Sequence, residues 1–290
     1  MKVDYVFILA AGKGTRMGKI GKSVPKVIWP VFEKSLLELE IIYARRLAPG
    51  AKIFINLFNY SDTVENFLKL HLENFDDIEI LHEKKILDIG GAIHNLGHKL
   101  NYQGNILILN SDQFLYCEKD IIDKGLVELE ETDSLLFSYA VNPDDGYNAL
   151  GVENGFLKDI IPNADVKKNT STVTYTGMSL IRLDRLDPLF GESKFFDSVA
   201  NYKQKKIRVL EVTEFEYWDF GTLKRYHTSI FALLENLDSK FARFLIEQDC
   251  IDLQKVDKLT YGDEKYIIFN DFKISKESIS FMGGQRIEIL

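Results

Sequence analysis

Apolar positions fall along the chain in alternating strand-like and helix-like blocks. Residues 3–10 (VDYVFILA) are apolar and rich in β-branched and aromatic side chains, as in a strand covered on both faces. Residues 34–48 carry apolar side chains at helical spacing and stop at Pro49-Gly50. Residues 52–58 predict a strand, 61–71 a capped helix and 78–81 a further strand. A helix-forming segment follows Gly90-Gly91, a short buried strand occupies 105–109, a helix 120–131 and a strand 134–141. From about residue 143 turn signals and short strands take over, with Asn154-Gly155 marking a two-residue hairpin. Residues 172–183 predict a strand with a central glycine, 194–203 a helix, 207–212 a strand, and 223–247 one periodic helix. In the last forty residues, 266–272 and 278–281 suit strands. Strands alternating with helices imply an α/β fold with a mostly parallel sheet, whose ligands gather at the carboxyl ends of the strands.

The first strand runs straight into such a site. From residue 11 to 26 the chain is rich in glycine and cations. Gly12, Gly14 and Gly18 let a backbone turn tightly and bring its N–H groups to a ligand. Arg16, Lys19, Lys22 and Lys26 suit phosphate oxygens. Two common phosphate loops are excluded by spacing. Gly21-Lys22-Ser23 ends like a Walker A loop, but Arg16 stands where its first glycine belongs. The three glycines are one residue too wide for the dinucleotide fingerprint. Glycines and charges alone leave an ordinary strand-to-helix turn with solvated lysines equally open.

Composition narrows the class. The 290 residues are enough for one large α/β domain or two smaller ones, and 46% hydrophobic content suits a globular chain. A net charge of −8 excludes a general nucleic-acid binder, so any anion site is local. Cys117 and Cys250 lack metal-type spacing and are expected as free thiols of a reducing compartment. The apolar N-terminal run is broken by Asp4 and passes into charge, unlike a signal peptide. No apolar stretch approaches the roughly 18 residues of a membrane span, so a cytoplasmic protein is expected.

The segment from Leu9 to Met17, L-A-A-G-K-G-T-R-M, followed by Pro25-Lys26, resembles the signature of the sugar-phosphate nucleotidylyltransferases, which join an NTP to a sugar 1-phosphate. The resemblance covers roughly residues 3–228 and implies a Rossmann-like mixed, mostly parallel sheet with helices on both faces. By it, Arg16 and Lys26 are phosphate ligands, and the backbone of Ala10, Ala11, Gly12 and Gly14 holds base, ribose and phosphates. Glu83, Gly90 and Gly91 match a family segment that holds the base, although Asp88 there also suits a plain helix cap. Asn110 would lie beside the nucleotide. Asp112, at the end of a buried strand, is placed to hold Mg²⁺, though alone it equally suits a turn cap. Tyr217 to Thr222 (YWDFGT) resembles the family's second metal segment, making Asp219 the other Mg²⁺ ligand. Asn148, Thr176 and Gly177 fall on the implied sugar side.

Two departures stand out. Ser111 replaces a common family glycine, and the family's Glu-Lys-Pro, whose lysine meets the sugar phosphate, is replaced by 159–162 (DIIP). Lys158, Lys167 and Lys168 are possible substitutes, each more often just a solvated charge. The resemblance implies a catalytic domain over 1–228 with a sugar-side insertion at about 143–215. Residues 229–290 form a helical, then β-rich extension of unassigned role, whose tail could cover a surface or serve a homo-oligomer. The Gly90 to Ile93 run and the Tyr175-Thr176-Gly177 strand are most similar to N-acetylmuramate-1-phosphate uridylyltransferases and short mannose-1-phosphate guanylyltransferases, which favours UTP or GTP. Rival readings are a cytidylyltransferase for a phosphoalcohol or acidic sugar, and an inactive relative that senses sugar nucleotides.

Overall fold

A computed structural model describes residues 1–12, 24–166, 172–261, 264–269, 272–275, 278–281 and 286–288, with side chains up to 256 except that of Pro143. Gly14 and Arg16, like Lys167 and Lys168, lie outside the described residues. In chain order the first elements are β1 (Tyr5–Leu9), β2 (Pro30–Val31), β3 (Lys34–Ser35), α1 (Leu36–Leu47), β4 (Lys52–Leu57), α2 (Ser61–His71) and β5 (Ile78–His82). Then come α3 (Asp88–Lys99), β6 (Asn105–Asn110), β7 (Gln113–Tyr116), α4 (Lys119–Leu129), β8 (Ser134–Val141), β9 (Ala149–Glu153), β10 (Phe156–Ile161) and β11 (Thr172–Arg182). α5 (Phe195–Ser198), β12 (Ile207–Glu211), β13 (Glu216–Asp219), α6 (Leu223–Glu235) and α7 (Lys240–Glu247) follow. The tail holds β14 (Asp257–Tyr261), β15 (Glu264–Phe269), β16 (Phe272–Ser275), β17 (Ser278–Phe281) and β18 (Arg286–Glu288).

Among the described residues nine strands form one mixed sheet in the order β5-β4-β1-β6-β11-β8-β12-β10-β9. β5, β4, β1 and β6 are all parallel, the arrangement expected of strands linked by helices. β11 enters antiparallel between β6 and β8, β12 pairs parallel with β8, and the β9–β10 hairpin closes the far edge. Parallel pairing therefore concentrates in the first half of the chain. Alternation along β1 sorts the core: Val6 and Ile8 pack with Ile41, Leu68, Leu126, Ile230 and Phe244 of α1, α2, α4, α6 and α7. Phe7 faces the other way, with Ile93 of α3 and Phe195 of α5. Helices thus cover both faces, as expected of an α/β sheet. No helix among the described residues is long and apolar enough to cross a membrane. Cys117 and Cys250 are both buried and free.

Several elements differ from their sequence expectation, each for a local reason. α1 starts at Leu36 because Ser35 caps it: Glu38 N donates to Ser35 Oγ at 3.2 Å and Ser35 N to the Glu38 carboxylate at 2.8 Å. α2 begins behind Tyr60, which is left-handed (φ 59°) and makes no side-chain cap. The predicted 223–247 helix is two helices, because Ser239 caps a fresh start, accepting from Ala242 N at 3.1 Å. The predicted 194–203 helix is the single turn α5. The tail is a five-stranded antiparallel meander, in which the expected 266–272 strand is divided between β15 and β16.

One element absent from the sequence expectation, β7, positions the ends of two distant segments. It pairs antiparallel with β13, setting Gln113 opposite Asp219. Its outer side is held by Tyr43 of α1, whose hydroxyl donates to Leu115 O at 2.6 Å and accepts from Cys117 N at 2.9 Å. Replacing Tyr43 with Phe leaves both backbone groups short of a buried partner. Tyr43→Phe should therefore lose about 1–3 kcal/mol of stability, read from urea unfolding midpoints at unchanged m-value.

Candidate active site

The carboxyl ends of β1, β4 and β6 lie side by side, with Leu9 level with both Asn56 and Asn110. Asn56 interrupts a buried apolar strand and its side chain is bonded at both ends: its Oδ1 accepts from Ala10 N at 2.8 Å, and its Nδ2 donates to Glu83 Oε1 at 2.8 Å. Glu83 Oε2 accepts from Leu87 N at 3.2 Å. Burial raises the Glu83 pKa, opposed by the bonds from Asn56 and Leu87. Ala10, Ala11, Gly12, Asn56 and Glu83 line a cleft of about 390 Å³, together with Lys26, Asn110, Asp112, Gln113 and Gly221.

Two carboxylates from distant parts of the chain meet at this cleft, Asp112 in its lining and Asp219 behind Gly221 and Gln113 of the lining. Asp112 follows β6, and its Oδ2 is paired with Lys26 Nζ. Lys26 is carried on a short turn, Lys26–Ile28, anchored by buried Trp29, whose ring meets Tyr226 of α6 edge-on at 5.2 Å. Asp219 ends β13. Its Oδ1 accepts from Gly221 N at 2.7 Å, and its Oδ2 from Arg225 at 2.6 Å and Gln113 Nε2 at 3.3 Å. Phe220 N donates to Asp112 O at 2.9 Å, tying the two segments together directly. A Cβ on Gly221 would stand 2.9 Å from Asp219 Oδ1 and 3.3 Å from Asp112 Oδ2. Both carboxylates therefore border one spot that only glycine leaves open. Two carboxylates fit Mg²⁺, which keeps several waters and shares phosphate oxygens, rather than a closed protein cage. No group of three or more His, Cys, Asp or Glu side chains placed to hold a metal occurs among the described residues.

The structure brings together Ala10, Ala11, Gly12, Lys26, Glu83, Asn110, Asp112 and Asp219, but gives other expected residues different work. Gly90 and Gly91 lie inside the first turn of α3, not ahead of it, and their Cβ directions are filled. A Cβ there would collide with Lys194 O in the first case and with Gly191 O in the second. They serve close packing of α3 on the 191–198 segment. Asp88 bonds the neighbouring Ile89 N at 2.6 Å from its own side chain. Thr176 is buried, its hydroxyl donating to Phe137 O at 2.9 Å and accepting from Met178 N at 3.0 Å, so it bridges the irregular stretch of β11. Gly177, left-handed at φ 87°, makes room for Asn110, whose Nδ2 takes the space a Cβ would need. Asn148 is exposed, and its side chain accepts from Asn163 N at 3.0 Å. Lys158 is exposed on β10.

Three residues of the site escaped the sequence reading. Asn56 signals itself as the one amide in an apolar strand. Gln113 is fixed between Asn110, which donates to it at 3.1 Å, and Asp219. Arg225 sits in the first turn of α6, where the helix dipole disfavours a cation, so its place there asks for an acidic partner. Burial works against the Arg225 charge, and Asp219 together with Tyr147 and Tyr217 more than offsets it, raising its pKa.

The sequence profile of the nucleotidyl transferase family matches residues 5–153, just over half of the chain. The bifunctional protein GlmU of Prochlorococcus marinus is 29% identical over 163 residues, covering 55% of this chain and 35% of that protein. The match thus spans about a third of the length of that curated relative. D-glycero-α-D-manno-heptose 1-phosphate guanylyltransferase of Campylobacter jejuni is 27% identical over 229 residues, 76% of this chain and 96% of that one. Among solved structures, HddC from Yersinia pseudotuberculosis complexed with GMP-PN superimposes with a TM-score of 0.64 at 18% identity, over 79% of this chain and 99% of that one. A Bacillus anthracis structure described as a putative glucose-1-phosphate thymidylyltransferase gives 0.65 at 16% identity, over 79% and 94%.

Two substitutions test the supports of the site. Asn56→Ala strands the buried Ala10 N–H and removes one partner from Glu83, which should cost about 2–3 kcal/mol in chemical denaturation. Gly177→Ala forces a side chain into left-handed backbone and against Asn110. It should cost about 2–3 kcal/mol in the same measurement, with Asn110 displaced in a structure of the variant.

Proposed function

The chain belongs to the nucleotidyl transferase family, and on that premise we propose that it transfers a nucleotidyl group from an NTP to a sugar 1-phosphate, with Mg²⁺ as cofactor. The observation that carries the proposal is the meeting of Asp112 and Asp219 across the β7–β13 pair, beside a cleft of nucleotide size. On this reading an oxygen of the acceptor phosphate attacks the α-phosphorus in line, the bond to the β-phosphate oxygen breaks, and pyrophosphate leaves with the electron pair. No protein nucleophile is required.

Asp112 and Asp219 would hold Mg²⁺, which when bound supplies Lewis-acid polarisation of the α-phosphate. Lys26, already at Asp112, neutralises charge that grows on the departing pyrophosphate. Arg16 shares that task by the family resemblance, with the first-loop glycines around the phosphates. Ala10, Asn56 and Glu83 form a bonded row suited to base and ribose. Of the two favoured nucleotides, GTP gains from the guanylyltransferase relative that matches over nearly its full length. An NTP-consuming reaction fits a cytoplasmic protein.

The test is pyrophosphate release across the four common NTPs, each against a panel of sugar 1-phosphates. Release that depends on one pair and on Mg²⁺, and that falls by about 10²–10³-fold in Asp112→Asn, supports the reading. Silence of the wild-type protein across the panel sinks it. Gly221→Ala probes the cation site without touching a carboxylate. Its methyl stands between the two aspartates, so Mn²⁺ affinity by calorimetry should fall at least about tenfold while the circular dichroism spectrum is kept.

A further inference from the structure

Resting on that reading, we infer that Arg225 binds the phosphate of the acceptor, with the tyrosines beside it forming the wall on which the sugar lies. Lys26 and Arg225 each hold one of the paired aspartates, and they differ in placement. Lys26 lines the cleft and is largely buried, at 12% side-chain exposure, whereas Arg225 is 44% exposed and absent from the cleft lining. The Asp219 carboxylate to which it is bound is only 10% exposed. Arg225 thus sits at Asp219 from outside the nucleotide cleft, with part of its guanidinium open to a ligand.

Its surroundings suit a sugar phosphate. The guanidinium lies over the ring of Tyr147 at 5.5 Å. Tyr139 is buried and backs two partly exposed rings, its centroid 6.5 Å from Tyr147 and 5.0 Å from Tyr217, so the wall open to a sugar is that of Tyr147 and Tyr217. Tyr217 is two residues from Asp219 on β13. An aromatic wall next to a fork of N–H donors offers the hexose an apolar face and its phosphate a bidentate partner. The attacking oxygen belongs to that phosphate, so a cation at Asp219 also fixes the direction of attack. Arg225 uses one nitrogen, Nη1, on Asp219, and its other donors supply the contact.

The experiment compares wild type, Arg225→Gln and Arg225→Lys by two readouts. In calorimetry, UDP-glucose and GDP-mannose carry the phosphate that came from the acceptor, whereas UMP and GMP lack it. Arg225→Gln should weaken whichever NDP-sugar the wild type binds by about 10–100-fold and leave the matching NMP unchanged. Arg225→Lys should recover part of that loss, because it restores the charge without the fork. In steady-state kinetics the acceptor KM should rise while the NTP KM stays put. Equal loss of NDP-sugar and NMP binding, or a fall in kcat with both KM values unchanged, would overturn the inference and leave Arg225 as a positioning residue for Asp219. Inactivity of the wild type against every acceptor speaks to the proposed reaction alone, since the binding comparison still decides the role of Arg225.

Discussion

The site depends on one electrostatic constraint, which is that two aspartates must stand beside each other in a half-buried wall. Like charges brought close together in a protein wall repel, so such a pair persists only when it is compensated. Here the chain supplies the compensation itself, with Lys26 on Asp112 and Arg225 on Asp219. Backbone geometry then removes the freedom to drift apart. The ladder from Gln113 to Asp219, the Phe220 N to Asp112 O bond and the Gly221 N to Asp219 bond lock both segments in one register. Ser229 of α6 adds a hydroxyl to Asp219 O at 2.9 Å, so the helix is part of the same lock.

Behind the pair, burial handles the remaining acids differently. Glu40 of α1 is fully buried, and burial first, then the nearness of Asp112, push its pKa well up. Burial thus works against a third negative charge in the wall. Tyr217 is likewise pushed up, by burial and then by Asp219, which keeps its phenol protonated beside the carboxylate.

Much of this was legible in the sequence because the first strand, the capped or periodic helices and the Asn154-Gly155 turn are locally encoded. Asp112 and Asp219 were singled out by the family resemblance, and the structure brings their two segments together. The pairing that joins them was not legible, because β7 is four residues long, follows β6 with no glycine or proline between them, and gains its identity only from a partner about a hundred residues away. The glycines carry a second role that spacing does not show. Gly90, Gly91 and Gly177 look like ligand-facing backbone when spacing is all one has, yet each is needed where another part of the chain comes too close for a Cβ. Sequence reveals that a side chain is missing and cannot reveal what occupies its place. Gly221 is the instructive contrast, since what its missing side chain leaves open is the ground between two carboxylates.

A site whose charges are already balanced also constrains the order in which ligands are held. On the proposed reading, a divalent cation seated between the aspartates competes with Lys26 for Asp112 Oδ2. A bare cation gains two carboxylates but leaves Lys26 without its partner, and an unpaired, largely buried ammonium is costly. A cation that arrives with a triphosphate brings a new acceptor for that lysine, so the displaced charge is taken up within the same cleft. The arrangement therefore favours the cation–nucleotide complex over the free ion. The coupling between nucleotide and cation binding should be positive, and by linkage equal whichever is added first.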